Sequence, residues 1–114
     1  MYSRFIMFHQ TLLSLGEKKL DFLNKRAQIL TENIANSDIR GMYRKDLKSF
    51  KDILGHSPKD HLHFKKNDVV ALKEDIHKSK ETMNMALVTQ EHDAILSMMK
   101  QYYKMGQLVA GFQA

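Results

Sequence analysis

Apolar residues recur along the first third of the chain at spacings of three and four. Leu20, Leu23, Ala27, Leu30 and Ile34 share one helix face, while Lys25, Arg26, Gln28 and Glu32 fall on the others. Upstream, Phe5, Phe8, Leu12 and Leu15 open a seam of the same kind, and Leu13 carries the register on to Leu20, so the seam shifts near Gly16. The pattern predicts one long amphipathic helix from about Phe5 to Ala35. Gly costs about 1 kcal/mol relative to Ala inside a helix, so Gly16 marks a bend or a close helix contact, or else a break into two helices. The pattern ends at Asn36-Ser37-Asp38, whose short polar side chains compete for backbone hydrogen bonds. Asn also tolerates the left-handed backbone of a helix end, and Gly41 gives the next turn its freedom.

A second periodic stretch closes the chain. Met85, Val88, His92, Ile95, Met99, Tyr102, Gly106 and Val109 keep heptad spacing after Asn84, a candidate N-cap. Leu87, Leu96, Met98, Tyr103, Met105 and Leu108 widen the apolar surface beyond one seam, so this helix needs more than one neighbour. Methionine suits such contacts, being flexible.

The middle has another character. After Gly41 the chain leaves as a basic, extended-looking segment. Leu47, Phe50, Ile53 and Leu54 suit a short helical turn; Gly55-His56-Ser57-Pro58 and Lys66-Asn67-Asp68 are turn-prone; His61 to Phe64 and Val69 to Leu72 are each candidate strands. The fold expected is mainly α, with two long amphipathic terminal helices packed as an antiparallel coiled-coil-like hairpin around a loop-rich middle with room for short strands. Regions 1–37, 38–83 and 84–114 form a single structural domain.

Composition adds limits. A chain of 114 residues is one domain with a modest core, and two thin helices leave a core that needs partners. A net charge of +5 admits acidic partners, anionic lipid or nucleic acid. The basic excess between Arg40 and Lys80 is interrupted by acidic residues and forms no long block. With no cysteine there is neither a disulfide framework nor thiol chemistry. The apolar start at Met1 to Phe8 is interrupted by His9, Gln10 and Thr11 with no small-residue cleavage site, so no cleaved signal peptide is expected. No run approaches the roughly 20 apolar residues of a membrane span.

Candidate chemistry is sparse. On a strand, His61 and His63 would share a face with His56 and Asp60 nearby. There is no paired-cysteine or zincin motif and no third ligand at a recognised spacing, so surface or hydrogen-bonded histidines are expected, with no metal and no cofactor. Glu91-His92-Asp93 is the nearest approach to a catalytic cluster, but consecutive helical residues point in different directions. No nucleotide loop or nucleophile elbow is present, and a non-enzymatic protein is expected.

The order Leu30, Asn33-Ile34-Ala35-Asn36, Asp38, Gly41, Tyr43, Arg44 and Asp46-Leu47 closely resembles the N-terminal signature of bacterial flagellar rod proteins. Ile39-Arg40 stands where that family usually has Thr-Pro, and Met42 is an extra residue before Tyr43. Asn84, Met85 to Leu87, Glu91 and Tyr102 or Tyr103 are similar, more loosely, to its C-terminal helix. The proximal rod (FlgB-type) group fits best, with FlgC-type rod subunits as the alternative. The resemblance implies a structural subunit of the basal body that helps carry torque from the motor ring to the hook and filament, exported without a cleaved signal peptide. It implies packing with copies of itself, other rod subunits, a FliE-type adaptor, and the MS ring and export gate. The packing residues expected are Leu23, Leu30, Asn33, Ile34, Asn36, Ile95, Met99 and Tyr102. The other class admitted by the charge is a basic helical nucleic-acid-binding protein, but the basic residues are not gathered on one helix and no helix-turn-helix or RNP-type motif appears.

Overall fold

The computed structural model describes residues 2–58 and 60–113. The protein is mainly helical, with a long helix at each end packed together and a small two-stranded sheet in the middle. Helix α1 spans Tyr2–Ala35, strand β1 Tyr43–Leu47, helix α2 Phe50–His56, strand β2 Val69–Asp75 and helix α3 Lys78–Gln113; a 3-10 turn at Lys66–Asp68 precedes β2.

The long helices run antiparallel: His9 lies beside Gly106, Gly16 beside Met99, and Lys19 bonds Glu91 at 3.2 Å. On α3 the stripe facing α1 is the one heptad spacing picks out. Met85, Val88, His92, Ile95, Met99, Tyr102, Gly106 and Val109 are all buried or half-buried, and Glu81 extends the same spacing by one step. On α1 the stripe is Phe5, His9, Leu12, Gly16, Lys19, Leu23, Arg26, Leu30 and Asn33, alternating steps of four and three without interruption. It departs from the apolar seam expected near the N-terminus, because Phe8 is 63% and Leu15 42% exposed. Small or polar residues take the inner positions there. Gly16 makes room for Met99, and Gly106 for His9, whose ring stacks on Phe5. No break occurs at Gly16: α1 is one continuous helix, and the glycine is a close-contact site.

Three further expectations are corrected. Helix α3 begins at Lys78, so Asn84 is interior and not an N-cap; the turn before it is helical because Glu81 is drawn into the helix pair by its polar partners. His61 to Phe64 forms no strand, whereas the Val69 run does, extended to Asp75. Asn36 does not adopt the left-handed backbone: Gly41 does, with φ of 83°. Helix α1 ends as its polar residues predict. Asn36 N–H reaches Glu32 O at 2.9 Å and Ser37 Oγ donates to Ile34 O at 2.8 Å. Ser49 caps α2, its hydroxyl accepting Asp52 N–H at 3.2 Å.

The core lies at one end of the hairpin. Phe22, Leu23, Leu30, Ile53, Leu62 and Val88 are buried together where α2 and the Leu62–Phe64 segment close over the helix pair. Beyond Phe50 only the two helices continue. The molecule is elongated, with extents of 63, 26 and 14 Å. Its radius of gyration of 17.9 Å compares with roughly 13 Å for a compact chain of this length. No described helix is long and apolar enough to cross a membrane.

Candidate functional site

Residues of the signature segment meet at the junction of α1, β1 and α3. Asn33, 3% exposed, stands on α1 beside the free edge of β1. Its side-chain oxygen accepts Lys45 N–H at 3.0 Å, and its amide donates to Lys45 O at 2.8 Å. The pairing of Lys45 with Ala71 leaves these two backbone groups facing away from β2. Asn33 therefore supplies what a neighbouring strand would, and the edge is closed.

The register shifts between Tyr43 and Lys45, an irregularity of the kind that re-aims a side chain. Arg44 is thereby directed inward. Its Nε donates to Glu81 Oε1 at 2.7 Å and its Nη2 to Asp46 Oδ2 at 3.3 Å. Arg26 grips Asp46 with two bonds, at 3.1 and 3.2 Å. The second oxygen of Glu81, a residue with no exposed surface, accepts from the Asn33 amide at 3.3 Å. Two guanidiniums thus balance two carboxylates, the condition under which buried charge is tolerated. Burial would raise the Asp46 carboxyl, but the Arg26 bonds, the Leu47 N–H and the two guanidinium charges outweigh it and hold Asp46 below the usual range. The bond to Glu81 raises Arg44, against the opposing effect of burial. Both Glu81 oxygens are engaged, so the cluster is a latch joining three elements.

A second cluster pins the outer loop. Asp68, 1% exposed, accepts Lys65 N–H at 2.7 Å and lies 2.9 and 3.0 Å from His56 Nε2. Burial works to raise Asp68, but the Lys65 N–H, His56 and the Lys48 charge prevail and lower it. An ionised carboxylate only accepts, so His56 carries its proton on Nε2; its Nδ1 is buried without a hydrogen-bond partner. The other histidines do not gather. His61 and His63 meet edge to face at 6.4 Å, and among the described residues no group of three or more His, Asp or Glu is placed to hold a metal ion. Glu91 is turned to Lys19, and His92 lies 3.7 Å from the exposed Asp93.

The expected packing residues separate into three places. Leu23 and Leu30 are core, at 1% and 0% exposure, and Asn33 is in the latch. Within the chain, Leu23 and Leu30 pack in the core cluster and Asn33 bonds Lys45 and Glu81. Ile34 is half-buried on α1, and Asn36 ends that helix. Ile95, Met99 and Tyr102 are brought together with Leu12, Leu15, Gly16, Phe50 and Met98 around a groove of about 350 Å³ on one side of the hairpin. A second depression on the opposite side is lined by Leu13, Glu17, Leu96, Lys100, Tyr103 and Lys104. Leu15, Met98, Met105, Tyr103 and Leu108 are between 42% and 64% exposed. Sequence reasoning missed Arg26, Glu81 and Asp68, and named His56 only among the surface or hydrogen-bonded histidines, without its partner Asp68. The one available signal was Glu81, which stands on the α3 seam four residues before Met85.

No family model matches the chain, and comparisons with curated proteins and with solved structures likewise return no match.

Proposed function

We propose that this chain is a structural subunit of a helical assembly, the proximal rod of the bacterial flagellar basal body, helping to transmit torque from the motor ring to the hook and filament. The observation that carries the assembly reading is surface. The accessible area of 8347 Å² exceeds by roughly 1,900 Å² that of a compact monomer of this mass. A standard protein–protein interface takes about 800 Å² from each partner, so the excess equals about two such contributions. The hairpin arm beyond Phe50 is one layer thick and apolar on both sides, and a stable layered architecture covers both. The rod assignment itself comes from the signature resemblance at Asn33–Asn36 and Tyr43–Leu47.

In this reading the paired stripes make an antiparallel, coiled-coil-like hairpin. Its latch fixes the signature loop, and its arm packs head-to-tail with neighbours, the geometry that generates tubes and filaments. Leu15, Met98, Tyr103 and Leu108 form the packing surface of the arm together with the expected Ile95, Met99 and Tyr102. The partners are copies of the chain, FlgC-type and further rod subunits, a FliE-type adaptor, and the MS ring and export gate. Internal pairing of Arg26 and Arg44 removes two cations from any nucleic-acid-facing surface, which leaves the assembly reading ahead of that alternative. Deleting the gene should abolish swimming, and the tagged chain should purify with basal bodies. Normal motility with basal bodies lacking the chain refutes the assignment.

A further inference from the structure

The groove beside Met98 is the open continuation of a seat that α2 already fills. Phe50 packs edge-on against Phe22 with ring centres 5.5 Å apart, and Ile53 is fully buried in the same cluster. Past Phe50, at the end of this short helix, the trough runs on along the arm over Leu12, Leu15, Gly16, Met99 and Tyr102. Gly16 lets Met99 form its floor, and among the described residues no third element enters it. What occupies the filled half is a helix with an apolar stripe, so the open half is shaped for another.

The charge on the rim selects which helix. Arg4 and Lys18 lie on the same row of α1 as Phe8 and Leu15, at spacings of three and four. Lys19 stands where α2 ends, its ammonium 5.0 and 4.8 Å from the ring centres of Phe22 and Phe50. On α3 the bordering residues Met98, Gln101 and Met105 carry no charge. Lys19 itself is bonded to Glu91. Over the whole arm Glu17 is the only acidic residue before Asp21, and none follows Asp93. The arm of a second copy would bring the same positive rim.

We propose that this groove receives an amphipathic helix from a different protein, one whose apolar stripe is flanked by Asp or Glu on the side that meets α1. The proposal rests on the assembly-subunit reading and deepens it by naming the chemistry of one neighbour. A helix laid in the groove accounts for about one standard interface contribution, leaving the Leu13–Tyr103 side for another contact.

The test uses the full chain and two synthetic helical peptides sharing one leucine stripe, flanked by Glu in one and by Lys in the other. The Glu-flanked peptide should bind ~10-fold tighter or better, with the gap narrowing as salt rises. Replacing Leu15 and Met98 together by Lys should weaken that binding ~10-fold, since both would meet the apolar stripe, with the circular dichroism spectrum unchanged. Arg4→Glu should shrink the preference between peptides. Equal binding of the two peptides overturns the proposal, as does indifference to the double substitution. Phosphatidylglycerol vesicles binding through Leu15 and Met98 while the Glu-flanked peptide does not would assign the groove to lipid. Sedimentation showing self-association lost in Met98→Lys, again without peptide binding, would assign it to a second copy. A chain that discriminates the peptides yet is absent from basal bodies refutes the rod reading and leaves this proposal standing. A chain found in basal bodies that does not discriminate refutes this proposal alone.

Discussion

Replacing Asn33 by Ala removes the side chain that bonds both the N–H and the C=O of Lys45 and one oxygen of Glu81. Leaving buried polar groups unpaired costs about 1–3 kcal/mol each, so urea unfolding should show a loss of ~2–4 kcal/mol; a loss within experimental error contradicts the latch. The carboxylates give a pH signature. Asp46 and Asp68 have folded pKa values below the ordinary one, so the folded state binds fewer protons than the unfolded chain. Their stabilisation is fully present above the ordinary carboxylate pKa of about 4. It is lost as pH falls through the lowered folded values. Stability measured by urea between neutral pH and about pH 3 should therefore drop at the acid end, and Asp68→Asn should lower the neutral value and flatten the fall. A flat profile in the parent chain would refute this. Arg44 and Asp46 were legible only as part of a signature. Their inward direction was not, because it follows from a register shift that periodicity does not encode.

At the scale of elements, α3 was readable because its inner stripe is built of apolar residues, His92 and Gly106 at heptad spacing. The N-terminal half of α1 was misread because the inner positions are His9, Gly16 and Lys19, which hydropathy ranks below the exposed Phe8 and Leu15. Steric fit between helices chose them, and fit is a property of the pair. The glycines turn this into a measurement. A Cβ at Gly106 would lie 2.6 Å from His9 Nε2, and one at Gly16 would lie 2.8 Å from Met99 Sδ. The imidazole is rigid and stacked, whereas methionine rearranges. Gly106→Ala should lower stability by ~1–3 kcal/mol despite the helix-propensity gain. Gly16→Ala should cost less, and Gly55→Ala, with nothing within 4 Å, should stabilise by ~0.5–1 kcal/mol. Thermal unfolding of the three variants checks the order; equal effects would contradict the close-contact geometry. The late start assigned to α3 had a similar cause. Asn84 is an acceptable cap in isolation, but Glu81 has partners on α1 and β1 that local sequence does not reveal.

The whole molecule is a latched body with a thin arm extending from it. The sequence already implied a core too small for its helices, and the excess of accessible surface puts a magnitude on that shortfall. Which side of the arm is a groove, and that its rim is positive, required α2 to be placed. The chain has no cysteine, so one introduced thiol reports on one position. Met98, 48% exposed on the groove, is the position to use. In Met98→Cys the thiol should react with a maleimide at close to the rate of a free peptide when the chain is isolated. In purified basal bodies the same reaction should be slowed ~10-fold or more by a covering helix. Equal rates in the isolated chain and in basal bodies would contradict the claim that the arm is built to be covered.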